Sequence, residues 1–243
     1  MRHIAKIVGP ALAFMLAGCA AETGGPAVAP APQTGPDLKL TPAKARPPKV
    51  DGVLDDATWK QAAVFTDFKP RDGSDPKGKA RLLVAQDDKA LYVAVECFES
   101  EAALKSLAAD CTQHDGDGLW KDDSVELFLG PDPKTESYYQ FIVNSKGVTM
   151  DAYYDQPGKA DLGWEPKYQC AAKVGKDSWV VEMALPWAVF DRTPKLSDTW
   201  LFQCQHERTA GPGERLMFVA FKGSSHQPDK FGKLAGVIGR KGA

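Results

Sequence analysis

SVELFL, residues 124–129, sets Val125, Leu127 and Leu129 on one side of the chain and Ser124, Glu126 and Phe128 on the other. That is the period of a half-buried strand, because successive side chains of extended backbone point to opposite faces. Working outward, the same texture recurs in ARLLVAQD (80–87), LYVAVECF (91–98), YYQFIVNS (138–145) and GVTMDAYY (147–154). It continues in YQCAAKV (168–174), SWVVEMAL (178–185), WLFQCQHE (200–207) and RLMFVAFK (215–222). Turn residues separate these runs: Asn144-Ser145-Lys146-Gly147 joins two alternating segments, and Gly175-Lys176-Asp177 joins two more. About nine or ten short strands with no helical pattern between them predict an all-β fold, an antiparallel two-sheet β-sandwich of jelly-roll type with one or two short helices. One helix is expected over 101–109, and another after the Asp51-Gly52 turn, capped by Asp55 and pointing Trp59 inward.

The first 19 residues are not fold. Arg2 and Lys6 precede the apolar stretch Ile7–Leu16, which ends in Leu16-Ala17-Gly18-Cys19. A charged start before a short apolar core is an export signal, too short for a stable membrane span. The tetrapeptide resembles a bacterial lipobox, which implies lipidation of Cys19 and a mature protein exported and tethered to a bacterial membrane, on the periplasmic side or the cell surface, through its lipid alone. Residues 20–47, rich in Ala, Pro and Gly, cannot bury a core and read as an extended tether. Residues 48–243 remain for one domain.

Thirty basic residues stand against 32 acidic ones, and neither sign forms a stripe. That balance argues against a nucleic-acid partner. With Cys19 assigned to lipid, Cys97, Cys111, Cys170 and Cys204 are left, an even number that permits two disulfides in an exported protein. The favoured pairing is Cys97 with Cys111, across a single loop, and Cys170 with Cys204; buried free thiols are the alternative.

Several stretches, taken in order, resemble the family 9 carbohydrate-binding modules and the wider DOMON-like sandwiches. They are VDGVLDDATW (50–59), LYVAVECFES (91–100), LWKDDSVELFLGPD (119–132), YYQFIVNSKGVTMDA (138–152), WVVEMALPW (179–187), FQCQHER (202–208) and HQPDKFGKL (226–234). No piece is specific alone; the ordered set is. The resemblance implies a non-catalytic domain that binds polysaccharide or oligosaccharide, assists carbohydrate breakdown by glycosyl hydrolases, and is often stabilised by Ca2+.

By itself GLWKDDSVELFLG (118–130) favours a Trp120 that plugs the end of the sandwich. Set in the family order, Trp120 corresponds to one jaw of an aromatic clamp, Glu126 to an acidic contact and Gln205 to a polar contact. The second jaw is missing, because Ser224, Ser225 and His226 stand where the family carries a tryptophan, so His226 is the candidate substitute. Ile142 stands where clamp-type binders have an arginine. Arg208 matches an arginine common at that point, as a sugar contact or as a bridge to an acid across the sandwich edge. Trp164, in the loop-like DLGWEP, is a further candidate for exposure.

HDGDG (114–118) begins like a calcium loop but breaks off at Leu119 and Trp120, so it is no EF-hand. Asp115, Asp117 and Asp122 remain candidates for a looser calcium site. Haem b, bound by some relatives of this sandwich for electron transfer, would need axial ligands from His114, His206, His226, Met150, Met183 or Met217 and is the less favoured cofactor. A purely structural or interaction domain is a third reading. Glycoside hydrolysis is the least favoured: it needs two carboxylates flanking one bond, and nothing in the sequence singles out such a pair among its many acids.

Overall fold

The computed structural model describes residues 35–41, 46–210 and 213–239. The lipobox, Cys19 and most of the tether lie outside the described residues. Fourteen strands are formed among those described: β1 (Asp37–Lys39), β2 (Ala63–Phe65), β3 (Lys69–Pro70), β4 (Lys79–Gln86), β5 (Ala90–Phe98), β6 (Ser124–Gly130) and β7 (Tyr138–Asn144). The second half supplies β8 (Thr149–Gln156), β9 (Lys159–Asp161), β10 (Gln169–Val174), β11 (Ser178–Pro186), β12 (Thr199–Arg208), β13 (Glu214–Met217) and β14 (Gly232–Ala235).

They make a β-sandwich. A nine-stranded sheet runs β1-β14-β12-β6-β7-β8-β9, with β13 beside the far half of β12 and β3 beside β13; a five-stranded sheet runs β10-β11-β5-β4-β2. Pairing is antiparallel except where β1 runs parallel to β14. The strands expected from alternation are present, the one expected over 215–222 only as Glu214–Met217, and five short segments that carry too little pattern to be read from sequence, β1, β2, β3, β9 and β14, enlarge the sheets.

Alternation decides which side chains meet between the sheets. Val125, Leu127 and Leu129 of β6 pack with Phe141 and Val143 of β7, Phe202 and Cys204 of β12, and Val93, Val95, Val181 and Met183 of the facing sheet. The outer face of the smaller sheet is also covered, by Trp59 with Val64, Leu83 and Tyr92. Glu182 fastens that cover: its carboxylate accepts from Trp59 Nε1 at 2.8 Å and from the Asp51 and Gly52 amides at 2.9 and 2.6 Å. Gly52 is required there, since its φ is +78° and a Cβ would fall 2.4 Å from Lys173 Cβ.

Several expectations are corrected. The turn at Trp59–Gln61 is a short 3-10 helix whose N-cap is Thr58, not Asp55, and Thr58 makes no side-chain cap. The α-helix begins at Ser100, whose hydroxyl accepts from Ala103 N, but it covers only Glu101–Leu104 rather than 101–109. Trp164 is buried, packed 4.9 Å from Tyr139 and donating to Asp191 Oδ1 at 3.2 Å. The four cysteines are free thiols, so the pairings Cys97–Cys111 and Cys170–Cys204 are not formed. The physical reason is layering. Cys97 faces the core from β5, whereas Cys111 sits in a loop beside the Gln113 carbonyl. Cys170 is on the edge strand of one sheet and Cys204 in the interior of the other.

Candidate functional site

The outer face of the nine-stranded sheet is built by register. Glu126 of β6 stands opposite Gln205 of β12 on one side and Ile142 of β7 on the other, and Ile142 stands opposite Met150 of β8. The next row places Phe128 beside Gln140, and Gln140 beside Ala152. Beyond it Tyr138 stacks on Tyr154 with ring centroids 4.6 Å apart. Residues that alternate away from the core therefore converge on one patch, which loops from four other parts of the chain border.

The result is a cavity of about 520 Å³, whose lining includes Trp120, Glu126, Tyr154, Arg71, Arg215 and His226. Trp120 belongs to a 3-10 turn, Leu119–Lys121, entered through Gly118 at φ +91°. The turn drives Leu119 into the protein, fully buried, and leaves Trp120 37% exposed. Trp120 is thus presented to the cavity and not packed in the core.

Polar groups at the floor are ordered by a directional chain. Tyr154 donates its hydroxyl proton to Gln140 Oε1 at 3.0 Å, and Gln140 Nε2 donates to Glu126 Oε2 at 3.2 Å. Burial is the main reason the Glu126 carboxyl is pushed up to about 7, with Arg215, Gln140 and Arg71 acting against that rise. Gln205 Oε1 accepts from Ser225 Oγ at 3.0 Å, and Arg215 donates to the same hydroxyl at 2.9 Å while its Nε pairs with Glu207. The Gln205 Nε2 is buried without a partner.

His226 forms the wall opposite the strands. Its Nδ1 lies 2.9 Å from the Tyr138 hydroxyl, and its ring sits 4.9 Å from that of Tyr154 and edge-on to Phe128. Burial, then Arg215, holds its pKa below the usual imidazole value, so it is neutral near pH 7.

Not every sequence candidate is gathered here: Gln205 is outside the cavity lining and touches it only through Ser225, which its Oε1 accepts from. Arg208 lies outside the cavity lining, bridging the sheets through a two-pronged pair with Glu99 and a 3.5 Å contact to Glu214. Asp115, Asp117 and Asp122 do not converge on a common point among the described residues. Asp122 is buried, its carboxylate occupied by the Asp110 and Cys111 amides and by Asn144 Nδ2. That donor set does not fit a calcium ion, since the oxygens it would need are already satisfied. Of the haem candidates, His206, Met183 and Met217 are in the interior, His114 is on an exposed loop, and Met150 and His226 line the cavity. Sequence reasoning missed Arg71, Arg215 and Tyr154, and named Ser225 without a role; only Tyr154, two positions beyond Ala152 on an alternating strand, carried a readable signal.

The sequence profile of the family described as carbohydrate family 9 binding domain-like matches residues 50–236. The chain belongs to that family. This family-9 domain is 23% identical over 206 residues to endo-1,4-beta-xylanase A of Thermotoga maritima, a match covering 81% of the chain and 18% of the xylanase. The chain thus spans less than a fifth of the length of that relative. The family-9 domain also superposes on a family 9 carbohydrate-binding module of Caldicellulosiruptor kristjanssonii in complex with cellotriose, with a TM-score of 0.58 and 17% identity over 85% of this chain and 97% of that one. The same organism's module in complex with glucose gives a TM-score of 0.57 and 16% identity, covering 82% and 94%. At these identities the likeness shows the sandwich fold.

Proposed function

We propose that the cavity on the outer face of the larger sheet binds a sugar ring of an oligosaccharide or polysaccharide without transforming it. The observation that carries this reading is Trp120, a large aromatic held open beside a cavity whose lining presents the Glu126 carboxylate and the Arg215 guanidinium. A ring offers its C–H face to the indole, its hydroxyls donate to the carboxylate, and a hydroxyl oxygen accepts from Arg215. His226 with Tyr154 supplies the second wall in place of a second tryptophan. Family membership and the cellotriose and glucose complexes of structural neighbours support a neutral, glucose-like ring. Lipidation of Cys19 would anchor this binder to the bacterial envelope, where it would hold polysaccharide for separate hydrolases.

Isothermal titration of the full chain with cellotriose and glucose, alongside a glycan array, tests the reading. Binding is expected and is lost or sharply weakened in Trp120→Ala. No binding to any glycan, or binding indifferent to that substitution, would overturn it.

A further inference from the structure

Beside the cavity, three segments distant in sequence bring together a second group of polar side chains. His114 and Asp115 come from the loop before the Trp120 turn, Asp151 from β8, and Glu165 from the loop after β9. One ligand atom each from His114, Asp115 and Glu165 lies within 4.8 Å of the others. His114 Nδ1 is 3.0 Å from the Thr149 carbonyl oxygen, an obligate acceptor, so the proton of a neutral ring sits on Nδ1. That leaves the lone pair of Nε2 facing carboxylate oxygens: Glu165 Oε2 at 3.2 Å, Asp115 Oδ2 at 3.5 Å and Asp151 Oδ1 at 4.0 Å. A lone pair aimed at three anions is repulsive; a second ring proton or a metal ion among them relieves it. A backbone carbonyl behind the far nitrogen is also how proteins orient a metal-binding histidine.

Asp151 provides the independent sign. It is 1% exposed, its Oδ2 has no hydrogen-bond partner, and its Oδ1 has only the Tyr168 hydroxyl at 3.3 Å. A buried carboxylate left half-satisfied, with its Oδ1 4.0 Å from His114 Nε2 at the edge of the cluster, is costly to ionise unless a cation balances it. Among the described residues the group paired with all three acids is the His114 imidazole, a cation only when both its nitrogens are protonated. A divalent ion would balance what one imidazolium cannot.

We propose that His114, Asp115, Asp151 and Glu165 form a site for a borderline divalent cation of the Zn2+ class. One imidazole nitrogen with carboxylate oxygens suits zinc or its first-row neighbours, which take such ligands at about 2.0–2.2 Å, and not calcium, which takes six to eight oxygens. The cluster differs from the Asp115, Asp117, Asp122 set expected from sequence, and it stands whether or not the neighbouring cavity binds sugar. Asp115 belongs to both the cluster and the cavity lining, so the ion would sit at the cavity rim.

The test uses the full chain, stripped with a chelator and dialysed against Zn2+ or Ca2+ separately, with bound metal measured by elemental analysis and affinity by titration calorimetry. One equivalent of Zn2+ per chain is expected, with Ca2+ much weaker. Asp151→Asn and His114→Ala should each lower zinc affinity at least about tenfold, and Asp117→Asn, on the cavity rim outside the cluster, should not. His114 is exposed, so its replacement leaves the core intact, and circular dichroism confirms that each variant is folded. Substoichiometric zinc in the wild type, equal binding by folded His114→Ala and wild type, or a preference for Ca2+ would overturn the proposal.

Discussion

Glu126 and Gln205 face each other across the β6–β12 ladder, and neither is free of the other's surroundings: Gln205 is tied to Ser225, Ser225 to Arg215, and Arg215 to Glu207. Burial within this frame raises the Glu126 carboxyl from its ordinary 4.5 to about 7. A charged carboxylate accepts stronger hydrogen bonds from hydroxyls than a neutral carboxyl does. Sugar affinity should therefore rise as pH passes upward through about 7, and Glu126→Gln should flatten that profile. For folding the sign is opposite: the folded state holds the proton longer, so the contribution of Glu126 is full below 4.5 and is lost as pH climbs through about 7. Calorimetric titrations at about one pH unit either side of neutrality, on wild type and variant, read the first effect.

Trp120 separates binding from stability. Its indole is 37% exposed and Leu119, not Trp120, anchors the turn. Trp120→Ala should weaken sugar binding by roughly 1 to 3 kcal/mol, as loss of a stacking platform does elsewhere. Unfolding free energy should change by less than about 0.5 kcal/mol. Thermal denaturation beside titration calorimetry distinguishes this from a core role, in which both would fall.

His206 predicts an acid limb. It is fully buried against Trp179, 5.5 Å between ring centroids, with neither nitrogen hydrogen-bonded. Burial, then Arg208, lowers its pKa from the ordinary 6.5 to about 3. Between those values the unfolded chain takes up a proton that the folded one refuses, so stability falls as pH drops from 6.5 toward about 3. The slope from this one group approaches about 1.4 kcal/mol per pH unit. Urea unfolding at several acidic pH values should show a shallower fall in His206→Leu than in wild type.

Arg208 and Glu99 form an ion pair with side chains 9% and 0% exposed. Removing one partner strands the other's charge, so Arg208→Ala should destabilise the domain by about 3 to 5 kcal/mol. The double variant Glu99→Gln, Arg208→Met should recover part of that loss, and whichever variant folds should keep the wild-type sugar affinity, because the pair lies outside the cavity lining. Denaturant midpoints give the first comparison and titration calorimetry the second.

The sequence by itself determined the architecture and half of the candidate cavity. A period of two survives in any sandwich because each strand must bury one face, so SVELFL declares both the inward Val125, Leu127 and Leu129 and the outward Glu126 and Phe128. The same logic misjudged what outward means, since Glu126 and Phe128 are buried beneath loops whose course no local pattern records. Only the tertiary structure decided that His226 and Arg215 close over residues a hundred positions earlier, that Trp164 tucks under Tyr139, and that Asp122 spends its carboxylate on a neighbouring loop while Asp115 turns toward His114, Asp151 and Glu165. Side-chain period is a property of one strand; burial, pKa and ligand geometry belong to whichever segments the fold brings to the same place, and those are set by long-range packing.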